Sequence, residues 1–288
     1  MRFGYTTWSM QGVPAEVSIP TLAAIGFDSI EITVVPGWRD ELDALTGERR
    51  RAIRRLVDQH GLVLPAIAGH RSLVATDPAE HAENWRRLTG AIDLAVDWAS
   101  EDGPPVLDTT TGGRAGEWIA LRDRLVDRLA RLADYAAARG VTVAIEPHVS
   151  SPLNSIENVL WLLKTIDRPN LRLAFDISHF NVQGIPIEES VTALAPHTVY
   201  THIKDERGVV PDYAFLIPGE GDFDYARYLR AMDGAGYRGD IHVEISLMVQ
   251  RREGFDPIAA ARQSYEVVSA AFVAAGVPRD RRQPHAGG

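Results

Sequence analysis

The sequence predicts a single-domain α/β fold, a (β/α)₈ TIM barrel, on three observations. Short apolar β-type runs alternate with amphipathic helical stretches from one end of the chain to the other, as parallel βαβ units require. Eight such units can be read along the 288 residues, a length that suits a closed barrel. No glycine-rich nucleotide loop follows the first strand, which separates the chain from the doubly wound open sheet, the other architecture with this alternation.

The strands are expected at residues 3–7, 29–33, 63–68, 105–109, 141–146, 171–176, 198–203 and 241–246. Each is a nearly continuous hydrophobic run, as a strand buried on both faces should be. Between the third and fourth, Asp77-Pro78 supplies a helix cap followed by a first-turn proline. Between the fourth and fifth, Trp118, Leu121, Leu125, Leu129, Leu132 and Ala136 recur at steps of three and four, and the helix should end at Arg139-Gly140. The same steps appear in Ile156, Val159, Leu163 and Ile166, and in Ile258, Ala261, Tyr265, Val268 and Phe272. Residues 1–276 are assigned to the barrel. Residues 277–288, with Pro278, four charged residues and a closing Gly-Gly, are expected to form a mobile C-terminal tail.

Composition narrows the function. Thirty Lys plus Arg against thirty-nine Asp plus Glu give a net charge of −9, which repels a phosphate backbone, so nucleic acid is not expected as a partner. With no cysteine there is neither a disulfide framework nor a thiolate metal site, and a reducing cytoplasm is compatible. The N-terminus runs directly into a strand, and no stretch approaches the ~20 apolar residues of a membrane span. A cytoplasmic protein without a membrane partner is the expectation.

Polar residues gather at the C-terminal strand ends, where a barrel builds its active site. Glu146 closes Val-Thr-Val-Ala-Ile-Glu, Asp176 closes Leu-Arg-Leu-Ala-Phe-Asp, His202 follows Val-Tyr-Thr, and Glu244 closes Ile-His-Val-Glu. A carboxylate at the end of an apolar strand is costly to bury without compensation. Four such groups on neighbouring strands point to one divalent metal. Three oxygens and one imidazole nitrogen suit Mn²⁺, Mg²⁺ or Co²⁺ better than closed tetrahedral zinc, with Mn²⁺ preferred. His179, in Asp-Ile-Ser-His, can turn back toward the same mouth and orient substrate. Lys204 and Arg207 follow His202 as cationic donors for substrate oxygens, Arg207 lying deeper in the loop expected to cover the site. Trp8, Glu31 and His70 stand at or just after other strand ends, and His148 follows Glu146 by two residues; all four are candidate substrate contacts.

These segments together resemble the xylose isomerase-like barrels, a superfamily of sugar isomerases, ketose 3-epimerases, keto-inositol dehydratases and endonuclease-IV-type repair enzymes. The resemblance runs over nearly the whole chain, from Phe-Gly-Tyr through Ile-Gly-Phe-Asp-Ser-Ile-Glu-Ile, Ala-Ile-Glu-Pro-His, Ala-Phe-Asp-Ile-Ser-His, His-Ile-Lys-Asp and Gly-Glu-Gly-Asp-Phe-Asp to His-Val-Glu-Ile. It implies that Glu146, Asp176, His202 and Glu244 bind one metal, that Glu146 and Glu244 also move a proton on a keto-sugar, and that His179 and Arg207 contact substrate. The Asp205-Glu206-Arg207 segment departs from the Glu-x-Asn-Arg form associated with ketose 3-epimerases. A lyase acting on a keto-inositol or a 3-keto-glycoside is therefore retained as an alternative, as is a non-catalytic sugar-binding barrel. Assembly as a homo-oligomer or with a partner subunit stays open. The three-metal repair site is not expected, because strand four ends in Asp108-Thr109-Thr110 and the loop 211–221 has no histidine.

Overall fold

A computed structural model describes residues 1–280 of the chain. Among them, ten strands occur: β1 (Arg2–Thr6), β2 (Ser29–Thr33), β3 (Ala66–Ala68), β4 (Val106–Thr110), β5 (Val143–Glu146), β6 (Leu171–Asp176), β7 (Thr198–Ile203), β8 (Asp205–Val209), β9 (Asp212–Leu216) and β10 (Asp240–Val243). All except β8 and β9 are parallel and close into a barrel in the order β1-β10-β7-β6-β5-β4-β3-β2. The predicted (β/α)₈ architecture is therefore the one observed. Strands at 29–33, 171–176 and 198–203 match their expected limits, whereas the last ends at Val243 and leaves Glu244 one residue past it.

The ring of helices follows from the apolar stripes. The Trp118 stripe forms the helix Trp118–Ala137, the Ile156 stripe the helix Ile156–Ile166, and the Ile258 stripe the helix Pro257–Ala275. Before the helix Pro78–Asp97, Asp77 accepts a hydrogen bond from Glu80 N at 2.8 Å, satisfying one of the first-turn donors.

Side chains alternate across each strand, and this decides what faces the barrel axis. One set, including Phe3, Tyr5, Ile30, Ile32, Ile67, Leu107, Ile145, Phe175, Ile203 and Val243, joins the large core between sheet and helices. The intervening set points inward. Its lower layer holds Ala66, Ala144, Ala174 and Tyr200, with His242 bonded to Ser29 and Tyr200. Gly4 belongs to this layer because a Cβ there would overlap the His242 ring. Above it lie Glu31, Asp108, Glu146, Asp176 and His202, all buried. The strands are thus less uniformly apolar than expected: the inward positions near the mouth are polar.

Two segments differ from expectation. The stretch after β7 is a hairpin, β8 against β9 with Asp205 opposite Leu216, where the sequence suggested only a covering loop. It folds over the mouth, with Val210 N donating to Val182 O at 2.7 Å. The expected tail starts at 277, yet Val277 is buried and Arg279 donates to both oxygens of Asp28 at 2.8 and 3.0 Å. Asp280 N also donates to Met1 O, so the docked chain extends to Asp280. The rest of that expectation, residues 281–288, falls outside the described residues. Among the described residues, no helix is long and apolar enough to cross a membrane.

Candidate active site

Period-two alternation on neighbouring strands brings the four expected ligands to one end of the barrel. Glu146, His202 and Glu244 each offer a ligand atom within 4.8 Å of the others, and Glu146, Asp176 and His179 do the same. His202 organises the first group. Its Nδ1 faces Glu146 Oε1 at 3.1 Å and Glu244 Oε2 at 3.5 Å, while Nε2 faces Glu31 Oε2 at 2.9 Å. A ring held through Nε2 by a carboxylate leaves Nδ1 as the donor toward a cation. Glu31 therefore acts behind His202. It is fully buried, and the substrate contact expected for it is replaced by this positioning contact.

Asp176 is fixed from both sides. Ser178 donates through its N (2.9 Å) and Oγ (2.6 Å) to Oδ1, and the Lys204 ammonium donates to Oδ2. The same ammonium lies 2.8 Å from Glu244 Oε1. Lys204 is inside because it shares a strand face with His202, two residues earlier, and it is not the pocket-facing donor for substrate oxygens expected of it. Glu146 is common to both groups, yet among the described residues no single group holds Asp176 together with His202 and Glu244; three carboxylates and one imidazole suit a divalent cation in kind, and the Lys204 ammonium between Asp176 and Glu244 would have to give way to it.

The charges divide the carboxylates. Burial opposes ionisation of Glu146, but hydrogen bonding and the charge of His202 outweigh it and hold the carboxyl well below the usual range. Glu31 is likewise brought down to about 2 by His202 against the effect of burial. Burial pushes Glu244 up to about 7, although Lys204 and His202 pull the other way. Burial, and then His148, push the His179 imidazole well below its ordinary value, so it is neutral.

An open cavity of about 250 Å³ sits over these groups, lined by Trp8, His70, Thr110, Gly112, Gly113, Glu146, His148, Ser150, Ser151 and Glu244. Trp8, His70 and His148, three of the candidate substrate contacts, thus line the cavity. Trp8 stacks on Trp38 at 4.3 Å between ring centroids, and its carbonyl accepts from Trp38 Nε1 and Gln250 Nε2, both at 3.1 Å. His179 is buried beneath, 3.7 Å from the His148 ring centroid and edge-on to Phe215 of the hairpin. Arg207 does not reach the pocket. Alternation along β8 turns Glu206 inward, where Asn181 donates to it at 2.6 Å, and turns Arg207 outward to Asp222 at 3.1 Å.

A family model for the xylose isomerase-like TIM barrel matches residues 19–270. The chain belongs to this family. Over 247 residues it is 28% identical to L-ribulose 3-epimerase of Methylomonas sp. strain DH-1, covering 82% of this chain and 79% of that one. It is 26% identical over 264 residues to L-ribulose-5-phosphate 3-epimerase UlaE of Salmonella paratyphi B, covering 88% of each. Its backbone superposes on the crystal structure of the IOLI protein with a binding zinc atom at a TM-score of 0.74 and 20% identity, over 96% of this chain and 98% of that one.

Within this xylose isomerase-like barrel, sequence reasoning missed Asp108. It is fully buried, neither oxygen has a hydrogen-bond partner among the described residues, and His70 Nε2 lies 3.9 Å away. Burial, and then the charge of Glu146, push its carboxyl well above the usual range. Counting in twos along β4 would have found it, since Thr110 at the pocket and Asp108 share the inward face.

Proposed function

We propose that this chain is a sugar isomerase or epimerase that moves a proton on a keto-sugar between Glu146 and Glu244. One divalent metal, Mn²⁺ first and Mg²⁺ or Co²⁺ as substitutes, is held by Glu146, Asp176, His202 and Glu244. The observation that carries this reading is that Glu146 and Glu244 are the two carboxylates lining the cavity and both face His202 Nδ1.

The chain's residues divide the work. A bound divalent ion supplies Lewis-acid polarisation of a carbonyl. Glu146 and Glu244, both against His202 Nδ1 and both at the cavity wall, are the groups that take the proton from carbon and return it. Glu31 fixes the His202 ring, Lys204 balances the buried negative charge, and the neutral His179 under His148 offers a hydrogen-bonding ring nitrogen without adding charge. Thr110, Ser150 and Ser151 supply hydroxyl partners for a polyol, and Trp8 an aromatic wall. The kinship with L-ribulose 3-epimerase supports the reaction class.

The test is solvent-deuterium exchange. Protein loaded with Mn²⁺ is expected to wash deuterium into the C–H beside the carbonyl of a keto-sugar, and chelation should abolish the exchange. Mn²⁺ binding without exchange from any keto-sugar would instead leave a sugar-binding barrel.

A further inference from the structure

We infer that the site takes an uncharged keto-sugar and discriminates against its phosphate ester. This rests on the proton-transfer reading and narrows its substrate. Sequence kinship leaves the point undecided, since the chain is about equally similar to a ribulose and a ribulose-phosphate epimerase.

Barrels of this kind commonly hold phosphate with backbone N–H groups of the loops after strands seven and eight. Here the donors of the loop after β7 are already engaged. The buried Asp205 carboxylate accepts from Gly219 N at 2.7 Å and Gly221 N at 3.0 Å on Oδ2, and from Glu206 N at 2.9 Å and Phe223 N at 3.2 Å on Oδ1. A Cβ at Gly221 would overlap Asp205 Oδ1, so the glycine serves this internal contact. The Asp of His-Ile-Lys-Asp thus occupies the anion position that the Gly-Glu-Gly turn would otherwise offer.

The side-chain cations are also directed elsewhere. Arg207 is turned out to Asp222 and Glu220 O, and Arg252 pairs with Glu220 at 2.8 Å. Lys204 lies between Asp176 and Glu244. Arg114, beside Gly113, is exposed and outside the lining. Among the described residues, none of those lining the cavity is Lys or Arg, and two are glutamates. Apart from a metal that the oxygens of the keto-sugar would themselves engage, a phosphate dianion entering this space would lose hydration without meeting a lysine or arginine among the lining residues, in the field of buried carboxylates. Neutral hydroxyls meet Thr110, Ser150, Ser151 and the aromatic face of Trp8 instead.

The experiment uses the full chain loaded with Mn²⁺. D-fructose, D-ribulose, D-fructose 6-phosphate and D-ribulose 5-phosphate are compared by deuterium wash-in. Binding is read separately from tryptophan fluorescence with the unreactive polyols glucitol and glucitol 6-phosphate. The neutral probe of each pair is expected to exceed its phosphate by at least about a hundredfold in kcat/KM, and in affinity in the same direction. Equal or better turnover or binding of the phosphate forms overturns the inference while leaving proton transfer intact. Neutral binding with no exchange from any sugar overturns the proton-transfer reading alone. Binding of none of the probes overturns both.

Discussion

The Lys204 ammonium is paired with the Asp176 carboxylate beneath the pocket, and it shares its charge with Glu244 across 2.8 Å. The lysine side chain is 2% exposed and Asp176 fully buried. A charge so placed is tolerated only with a partner, and removing one member of such a pair leaves the other uncompensated. Lys204 therefore supplies countercharge at the carboxylates expected to ligate a metal, and it must compete with that metal for them.

Lys204→Met should consequently tighten Mn²⁺ binding, by about tenfold or more, since losing an ammonium between two ligand carboxylates removes repulsion worth at least one to two kcal/mol (roughly) in a site of intermediate dielectric. Isothermal titration of the two proteins gives the comparison. Unchanged or weaker binding by the variant would show that the ammonium and the ion do not contend for Asp176 and Glu244.

Metal binding should also release protons. Burial disfavours a charged His202, yet Glu31 and Glu146 raise its pKa well above the ordinary histidine value, so the metal-free ring is an imidazolium at neutral pH. Ligation through Nδ1 displaces that proton, while Nε2 keeps the one it donates to Glu31. Affinity should therefore climb with pH through neutrality. Titrations at pH 7 in PIPES and in Tris should differ in apparent enthalpy by the buffers' ionisation heats; identical enthalpies would mean that no proton leaves.

Glu31 sets the orientation of that ring. Glu31→Gln is expected to weaken Mn²⁺ binding by about 10- to 100-fold, the range for losing a partner of a metal-ligating histidine, with little change in circular dichroism. If Glu31 were instead a substrate contact, as its strand-end position suggested, the loss would appear in KM and the metal affinity would hold.

That contrast shows what could be read from the sequence and what could not. Strand ends are legible because a carboxylate closing an apolar run is physically costly, which singles out Glu146, Asp176 and Glu244, and His202 stands at the matching position of the strand between the last two. Which face a residue takes depends on register. Lys204 and Arg207 look alike as charges after β7, yet Lys204 shares the inward face of His202, while the pairing of Arg207 with Ala214 in the hairpin turns it outward. Asp108 is less legible because it lies within β4, two residues short of the mouth position Thr110, and so does not stand at a strand end. The hairpin itself was hidden by its charged and proline-bearing sequence, Asp-Glu-Arg-Gly-Val-Val-Pro-Asp.

Acid should destabilise the barrel through His242. Burial lowers its pKa to about 4, and the ring is held by Ser29 and Tyr200 under Gly4. The unfolded chain takes up the proton near the ordinary histidine value of about 6.5, the folded chain only near 4, so stability falls as pH drops through that window. The loss attributable to this group is about 3 kcal/mol. Urea unfolding of wild type and His242→Gln at pH 7 and pH 4 isolates it. The variant starts less stable but should lose correspondingly less on acidification, and parallel losses would place the acid sensitivity in other groups.

The proton-transfer role of the two glutamates can be separated from ligation. Glu146→Gln and Glu244→Gln each keep an oxygen toward the metal and remove the basic carboxylate. Measured with excess Mn²⁺, affinity should fall only in part, while exchange should fall by the ~10²–10⁴ typical of a lost general base. Both carboxylates face His202 Nδ1 and both line the cavity, so a substrate carbon lying between them presents one face to each. An epimerase then loses exchange from one epimer in the first variant and from the other epimer in the second. A lyase needs one base, and only one variant would abolish its proton abstraction. Near-normal exchange in both variants would move the base to His70 or His148 at the pocket, or to His179 beneath it.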